Sequence, residues 1–241
     1  MNPAEKVLPG SRSGIGRPAG VIFDLDGVII DSEGAVLRCW DAAMERLGLP
    51  LPEGFRETCL SVIGSNRERT REVFLERYGT DLPYDRISQE KIRAYRDLYG
   101  SAGVPLKPGV RELLEFLGAR CIPAAVASST PTDIVREELE DAGLLRYFRV
   151  VVGGDRVSRS KPAPDIFLRA CELLGIAPED ALVLEDSYNG VRAAHAGGIP
   201  VIMVPDLLPP TEEMREKAAA VMESLDDVRL ALLKTLPEPQ C

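Results

Sequence analysis

Five short apolar runs, bounded by polar or turn-forming residues, set the main constraint on this chain. They are GVIFD (20–24), PAAVAS (123–128), RVVVGG (149–154), ALVLED (181–186) and PVIMV (200–204). Apolar runs of this length without polar alternation fit strands buried on both faces. Segments with helical spacing separate them, at 109–119, 131–142, 164–175 and 187–197. Strand and helix in alternation predict an α/β core: a doubly wound, Rossmann-like parallel sheet with helices on both faces.

One interval breaks the rhythm. Residues 34–104 hold no strand-like run, only helical patterns such as AVLRCWDAAMERLG (35–48), NRERTREVFLERYG (66–79) and RISQEKIRAYRDLYG (86–100). The expectation is an inserted all-α cap domain over 34–104, hinged near Asp31–Gly34 and near GVPLKPG, with the core made of 20–33 and 105–241. Trp40, Leu37, Met44 and Leu47 follow helical spacing and read as cap core. Residues 1–19 read as a flexible leader without the apolar centre of a signal peptide. ESLDDVRLALLKTL (223–236) reads as a closing amphipathic helix.

The net charge of −9 disfavours a nucleic acid or an anionic membrane surface as partner. No apolar run reaches membrane-spanning length. The cysteines are odd in number, five, and scattered, so structural disulfides are not expected and a reducing cytoplasm fits. A monomer is the default.

Acidic and polar residues fall where the predicted strands end: Asp24 after the first, Ser128 after the second, Glu185 and Asp186 after a later one. Open parallel sheets bind ligands at that carboxyl rim. Several carboxylates crowded there need a cation, and hard oxygen donors select Mg²⁺. A carboxylate can attack phosphorus, and a second one two positions on, Asp26, can serve the leaving oxygen and then the attacking water. Ser128, with backbone N–H groups near Ser129 and Thr130, and Lys161 ahead of a helix start can hold phosphoryl oxygens.

DLDGV, VASST, KPAPD and LEDSYNGVRAAHAGG, in this order, resemble the four motifs of the haloacid dehalogenase superfamily. The helical insertion resembles that of its phosphatase and β-phosphoglucomutase-like branch. The resemblance implies Asp24 as nucleophile, Asp26 as acid/base, and Ser128 and Lys161 as phosphate holders. It also implies Mg²⁺ held by Asp24, the Asp26 carbonyl, Asp186 and Glu185. The namesake dehalogenases lack the second aspartate and the metal, so Asp26 argues against them.

Bland readings compete at single positions. Asp24 and Asp26 alone would suit a turn, and Lys161 alone a solvated surface. Ser129 and Thr130 could cap the following helix, and Glu185 could make a supporting contact in place of a metal bond. His195 reads as a surface or packing residue. A cap histidine marks the true mutases, and Val36 stands in its place here. Arg67 matches a phosphate-contacting cap arginine and Lys91 a cap lysine. The expected function is a Mg²⁺-dependent phosphatase of small phosphorylated metabolites, sugar phosphates foremost, with an aspartyl-phosphate intermediate. The alternatives are a β-phosphoglucomutase-type isomerase and a catalytically silent binding protein on the same fold.

Overall fold

The computed structural model describes residues 16–62, 67–100 and 103–236, and of residues 67–69 the backbone alone. Most of the expected leader lies outside the described residues. In chain order the elements are β1 (Gly20–Phe23), α1 (Ser32–Arg46), α2 (Phe55–Ser61), α3 (Arg67–Tyr78), α4 (Tyr84–Tyr99), α5 (Val110–Gly118), β2 (Ala124–Ala127), α6 (Thr132–Asp141), β3 (Phe148–Val152), α7 (Asp165–Leu174), β4 (Ala181–Glu185), α8 (Tyr188–Ala196), β5 (Val201–Met203), α9 (Glu212–Lys217), β6 (Ala220–Val221) and α10 (Leu225–Thr235).

The strands form one parallel sheet in the order β3-β2-β1-β4-β5-β6. That order reverses direction at β1, the topology of a doubly wound fold. The residues of β1, β2 and β4 are buried throughout, which explains why none of them alternates in hydropathy. Helices cover the sheet through narrow apolar stripes. On α5 the buried positions are Val110, Leu113, Leu114 and Leu117, one face at helical spacing. On α7 they are Ile166, Phe167, Ala170, Cys171 and Leu174, which join Ile22, Ala125 and Val183 of the sheet in one core. Among the described residues, three helices start on a hydroxyl that accepts a backbone N–H: Ser187 for α8, Thr211 for α9 and Ser224 for α10.

The chain divides into two compact units, one of residues up to Ile29 and from Lys107 onward, the other Ile30–Leu106. Within the second, Ile30 bridges to Leu106, and the Asp31 N–H donates to the Pro105 carbonyl at 2.8 Å. Its helices pack around aromatic rings. Trp40 stacks on Phe74 with centroids 4.9 Å apart, and Phe55 meets both rings edge-on. Leu37 and Met44 are buried with Trp40, whereas Leu47 lies past the end of α1 and is half-buried.

Two details depart from expectation. Cys121 is disulfide-bonded, against the inference of no structural disulfide from scattered cysteines, while Cys39, Cys59 and Cys171 are free and buried. Scatter along a sequence does not forbid closeness in space. The elements α2, α9 and β6 were not anticipated, because six or seven residues of helix and two of strand leave no periodic signal. Among the described residues no helix is long and apolar enough to cross a membrane.

Candidate active site

Strand order brings distant residues to one rim. Phe23 is in register with Leu184, and the Asp24 N–H donates to the Leu184 carbonyl at 2.9 Å. Asp24 therefore stands level with Glu185, the last residue of β4. On the other side of β1, Ser128 follows β2, and its N–H donates to the Val152 carbonyl at 3.0 Å. Asp24 occupies the point where strand order turns, flanked by both neighbours' ends.

Lys161 reaches this point from the loop before α7. Its Nζ donates to Asp24 Oδ1 at 2.7 Å, to Glu185 Oε1 at 2.6 Å and to the Ala127 carbonyl at 3.5 Å. The ammonium lies 4.8 Å over the Phe167 ring, so α7 supports it from below. The loop is held by Arg159, which pairs with Asp165 through both carboxylate oxygens at 3.1 and 2.8 Å.

Glu185 is wholly buried, and its other oxygen accepts from the Ser187 N–H at 2.7 Å and the Ser187 hydroxyl at 2.9 Å. The same hydroxyl accepts the Gly190 N–H at 3.0 Å, so one serine starts α8 and aims Glu185 at once. Gly190 is obligatory for this packing. A Cβ there would come within a bond's length of Glu185, at 1.7 Å from Oε1.

Two carboxylates share one ammonium, and the electrostatics follow. Burial pushes the Asp24 carboxyl up to about 7; the Lys161 charge pulls it down, and Glu185 and Asp26 add to the rise. For Lys161, burial alone would favour the neutral amine, but Asp24 and Glu185 together outweigh it and hold the group above the usual lysine value. The lysine is thus a fixed positive charge at any physiological pH. Asp24, raised this far, gains from a second cation that favours its ionised form.

A place for that cation exists. Asp24, Glu185 and Asp186 each bring a carboxylate oxygen within 4.8 Å of the others. The donor set is all hard oxygen, which suits Mg²⁺ and not a thiolate- or imidazole-seeking metal. Gly27 makes room beside it: its φ is +76°, and a Cβ would lie 2.3 Å from Asp186 Oδ2. The residues fit a hydrated divalent ion.

The remaining candidates divide. Asp26 is half-buried, and its Oδ2 accepts the Thr130 hydroxyl at 3.4 Å. Ser128 is fully buried, and its Oγ accepts the Thr130 N–H at 3.1 Å. Ser129 is exposed. Neither Ser129 nor Thr130 caps α6. Asp155, distant in sequence, accepts the Thr132 N–H at 2.7 Å and the Thr132 hydroxyl at 2.6 Å, so the cap comes from the neighbouring loop. Lys91 sits in the helical unit with Nζ 4.6 Å over the Trp40 ring. Arg67 opens α3, and its side chain lies outside the described part. His195 is exposed, with Nδ1 3.3 Å from the Lys217 carbonyl. Sequence reasoning assigned no role to Ser187 or Gly190. The cap signature of a serine directly before a helix was there to be read.

The haloacid dehalogenase-like hydrolase family matches residues 21–204, which contain every acidic and basic residue of the rim described above. The chain belongs to that family. Among haloacid dehalogenase-like hydrolases it is 34% identical over 183 residues to the phosphorylated carbohydrates phosphatase of Thermotoga maritima, covering 74% of this chain and 81% of that protein. It is 32% identical over 188 residues to the fructose-1-phosphate phosphatase YqaB of Escherichia coli, covering 78% and 97% of the two chains. The structure of a HAD family hydrolase from Deinococcus radiodurans R1 with bound phosphate and sodium superposes with a TM-score of 0.76 at 26% identity, over 92% of this chain and 97% of that one. The motif resemblance and the family agree.

Proposed function

We propose that this hydrolase is a Mg²⁺-dependent phosphatase of small phosphorylated metabolites, sugar phosphates foremost, working through a phosphate ester of Asp24. The observation that carries the reading is the buried Lys161 shared by Asp24 and Glu185 beside an all-oxygen acidic cluster. The names of the phosphatase relatives support the substrate class.

Asp24, Asp186 and the Asp26 main-chain carbonyl would hold the ion, with Glu185 behind them, since both its oxygens already accept donors. When bound, the ion draws charge from the phosphoryl oxygens and lets an anionic carboxylate approach an anionic ester. Lys161 and Ser128 supply the protein's own share of that charge and donor field.

Asp24 has one oxygen engaged by Lys161, which leaves the other to attack phosphorus. The P–O bond to the sugar breaks, and Asp26 gives the departing oxygen its proton. Asp26, now ionised, takes a proton from water, which attacks the phosphorus of phospho-Asp24. Inorganic phosphate leaves, and Asp24 and protonated Asp26 are restored. Arg67 and Lys91 are the candidates for further substrate contacts.

The test is release of phosphate from p-nitrophenyl phosphate and from a sugar phosphate panel with Mg²⁺. EDTA and Asp24→Asn should each abolish it. No turnover on any phosphomonoester would reject the reading. Conversion of β-glucose 1-phosphate to the 6-phosphate faster than phosphate release would replace it with the isomerase.

A further inference from the structure

Asp206 lies in the loop after β5, on the same carboxyl edge of the sheet as Asp24 and Asp186. None of the four motifs includes it. Its side chain is only 7% exposed, and Oδ1 accepts Lys107 Nζ at 2.6 Å. Lys107 is fixed in turn: its N–H donates to the Ile29 carbonyl at 2.9 Å, which ties the pair to the segment leaving β1 and the acidic rim. The second oxygen, Oδ2, is buried and has no hydrogen-bond partner among the described residues. A carboxylate oxygen of Asp206 comes within 4.8 Å of one of Asp186.

This is an unfavourable arrangement as it stands. A buried acceptor without a donor costs free energy, more so when it is ionised. A second carboxylate nearby adds like-charge repulsion. Lys107 offsets one oxygen of Asp206. The remaining oxygen needs a donor, and the Asp206 carboxylate stands beside Asp186, a proposed ligand of the ion.

We propose that Asp206 is an outer-sphere carboxylate of the divalent-ion site, its Oδ2 accepting a hydrogen bond from water that hydrates the ion, with Lys107 holding the carboxylate in place. The inference rests on the functional reading above in one respect, the presence of the ion. Mg²⁺ gives up its waters reluctantly, so acceptors beyond its direct ligands fix how it sits. Asp206 is then a positioning residue. Removing such partners of a metal shell typically costs about 10–100-fold in affinity.

Mn²⁺ serves as the probe, because its free concentration can be read by electron paramagnetic resonance without turnover. Dissociation constants are measured for the full chain, for Asp206→Asn, and for a Lys107→Met, Asp206→Leu double variant that removes the buried pair together. Metal-free melting temperatures report any structural effect separately. Both variants should weaken Mn²⁺ about tenfold or more. The double variant keeps the test open should the single one not fold, since an apolar replacement of a buried pair is tolerated. Tight Mn²⁺ binding by the unaltered chain, with a folded variant within twofold of it, would overturn the inference and leave the phosphatase reading intact. Absence of Mn²⁺ binding in the unaltered chain would overturn both.

Discussion

Lys161 Nζ lies 2.7 Å from Asp24 Oδ1, though 137 positions separate the two residues. The side chains are about one-tenth exposed or less, and Glu185 closes the ammonium from its other side. Removing one member of a buried pair strands the other, at a cost of about 3–5 kcal/mol. Lys161→Met should therefore lower the melting temperature in EDTA and cut kcat/KM on p-nitrophenyl phosphate by about 100-fold or more. Mg²⁺ should raise the melting temperature of this variant more than that of the unaltered chain, since a cation replaces a cation. Lys161→Arg should not rescue activity, because a planar fork cannot sit as a point charge between two carboxylates. A variant with unchanged Mg²⁺ response and activity would contradict this account.

Gly27 tests the room left for the ion. Its positive φ and the 2.3 Å approach to Asp186 Oδ2 are separate demands, and Gly48 shares only the first: its φ is +63° and nothing lies within 4 Å of its added Cβ. Gly27→Ala and Gly48→Ala should both lose about 1 kcal/mol of stability from backbone strain. Only Gly27→Ala should raise the Mg²⁺ concentration for half-maximal activity, by about tenfold. Equal Mg²⁺ curves for the two variants would mean that Asp186 moves aside freely.

How much of this was legible beforehand follows from the kind of signal each feature leaves. The strands that meet at the rim are apolar runs buried on both faces, so β1, β2 and β4 declared themselves, and Asp24 and Glu185 stood at their ends. Lys161 stood out only through its motif, because its partners come from the ends of two strands distant in sequence. The pairing of Lys107 with Asp206 across 99 positions had no motif to announce it. The cap of α6 was misplaced for the same reason: Thr130 is adjacent in sequence, but Asp155 is adjacent in space. Cys121 carried no spacing signal either. Local periodicity is written in the chain, whereas contacts between loops depend on the sheet that brings them together.

The Asp24 carboxyl, pushed up to about 7 by burial from its ordinary 3.8, sets a pH dependence. Between those values the folded chain keeps a proton that the unfolded chain releases. The contribution to stability is full below about 3.8 and is lost as pH rises through about 7. The proposed Mg²⁺ would bind the ionised form, so its effect should run the other way. The rise in melting temperature on adding Mg²⁺ should be small at about pH 5, grow with pH, and level off above about 7. Asp24→Asn should remove this slope. Differential scanning fluorimetry with EDTA or Mg²⁺ across that range measures it, and a Mg²⁺ effect larger in acid would refute the assignment.

Thr130 donates its hydroxyl to Asp26 Oδ2 at 3.4 Å while its N–H is fixed by Ser128 at 3.1 Å. A bond at that length to an ionisable acceptor is worth about 1 kcal/mol, or roughly fivefold in rate. Its loss should matter only where Asp26 must deliver a proton. Thr130→Val should lower kcat about fivefold on an alkyl phosphate such as a sugar phosphate, whose alkoxide leaves poorly. On p-nitrophenyl phosphate, whose phenolate departs without protonation, the loss should be much smaller. Thr130→Ser keeps the hydroxyl and should restore the alkyl substrate. Equal losses on both substrates would assign Thr130 to the phosphate-holding loop and not to the acid, since only the acid distinguishes one leaving group from the other.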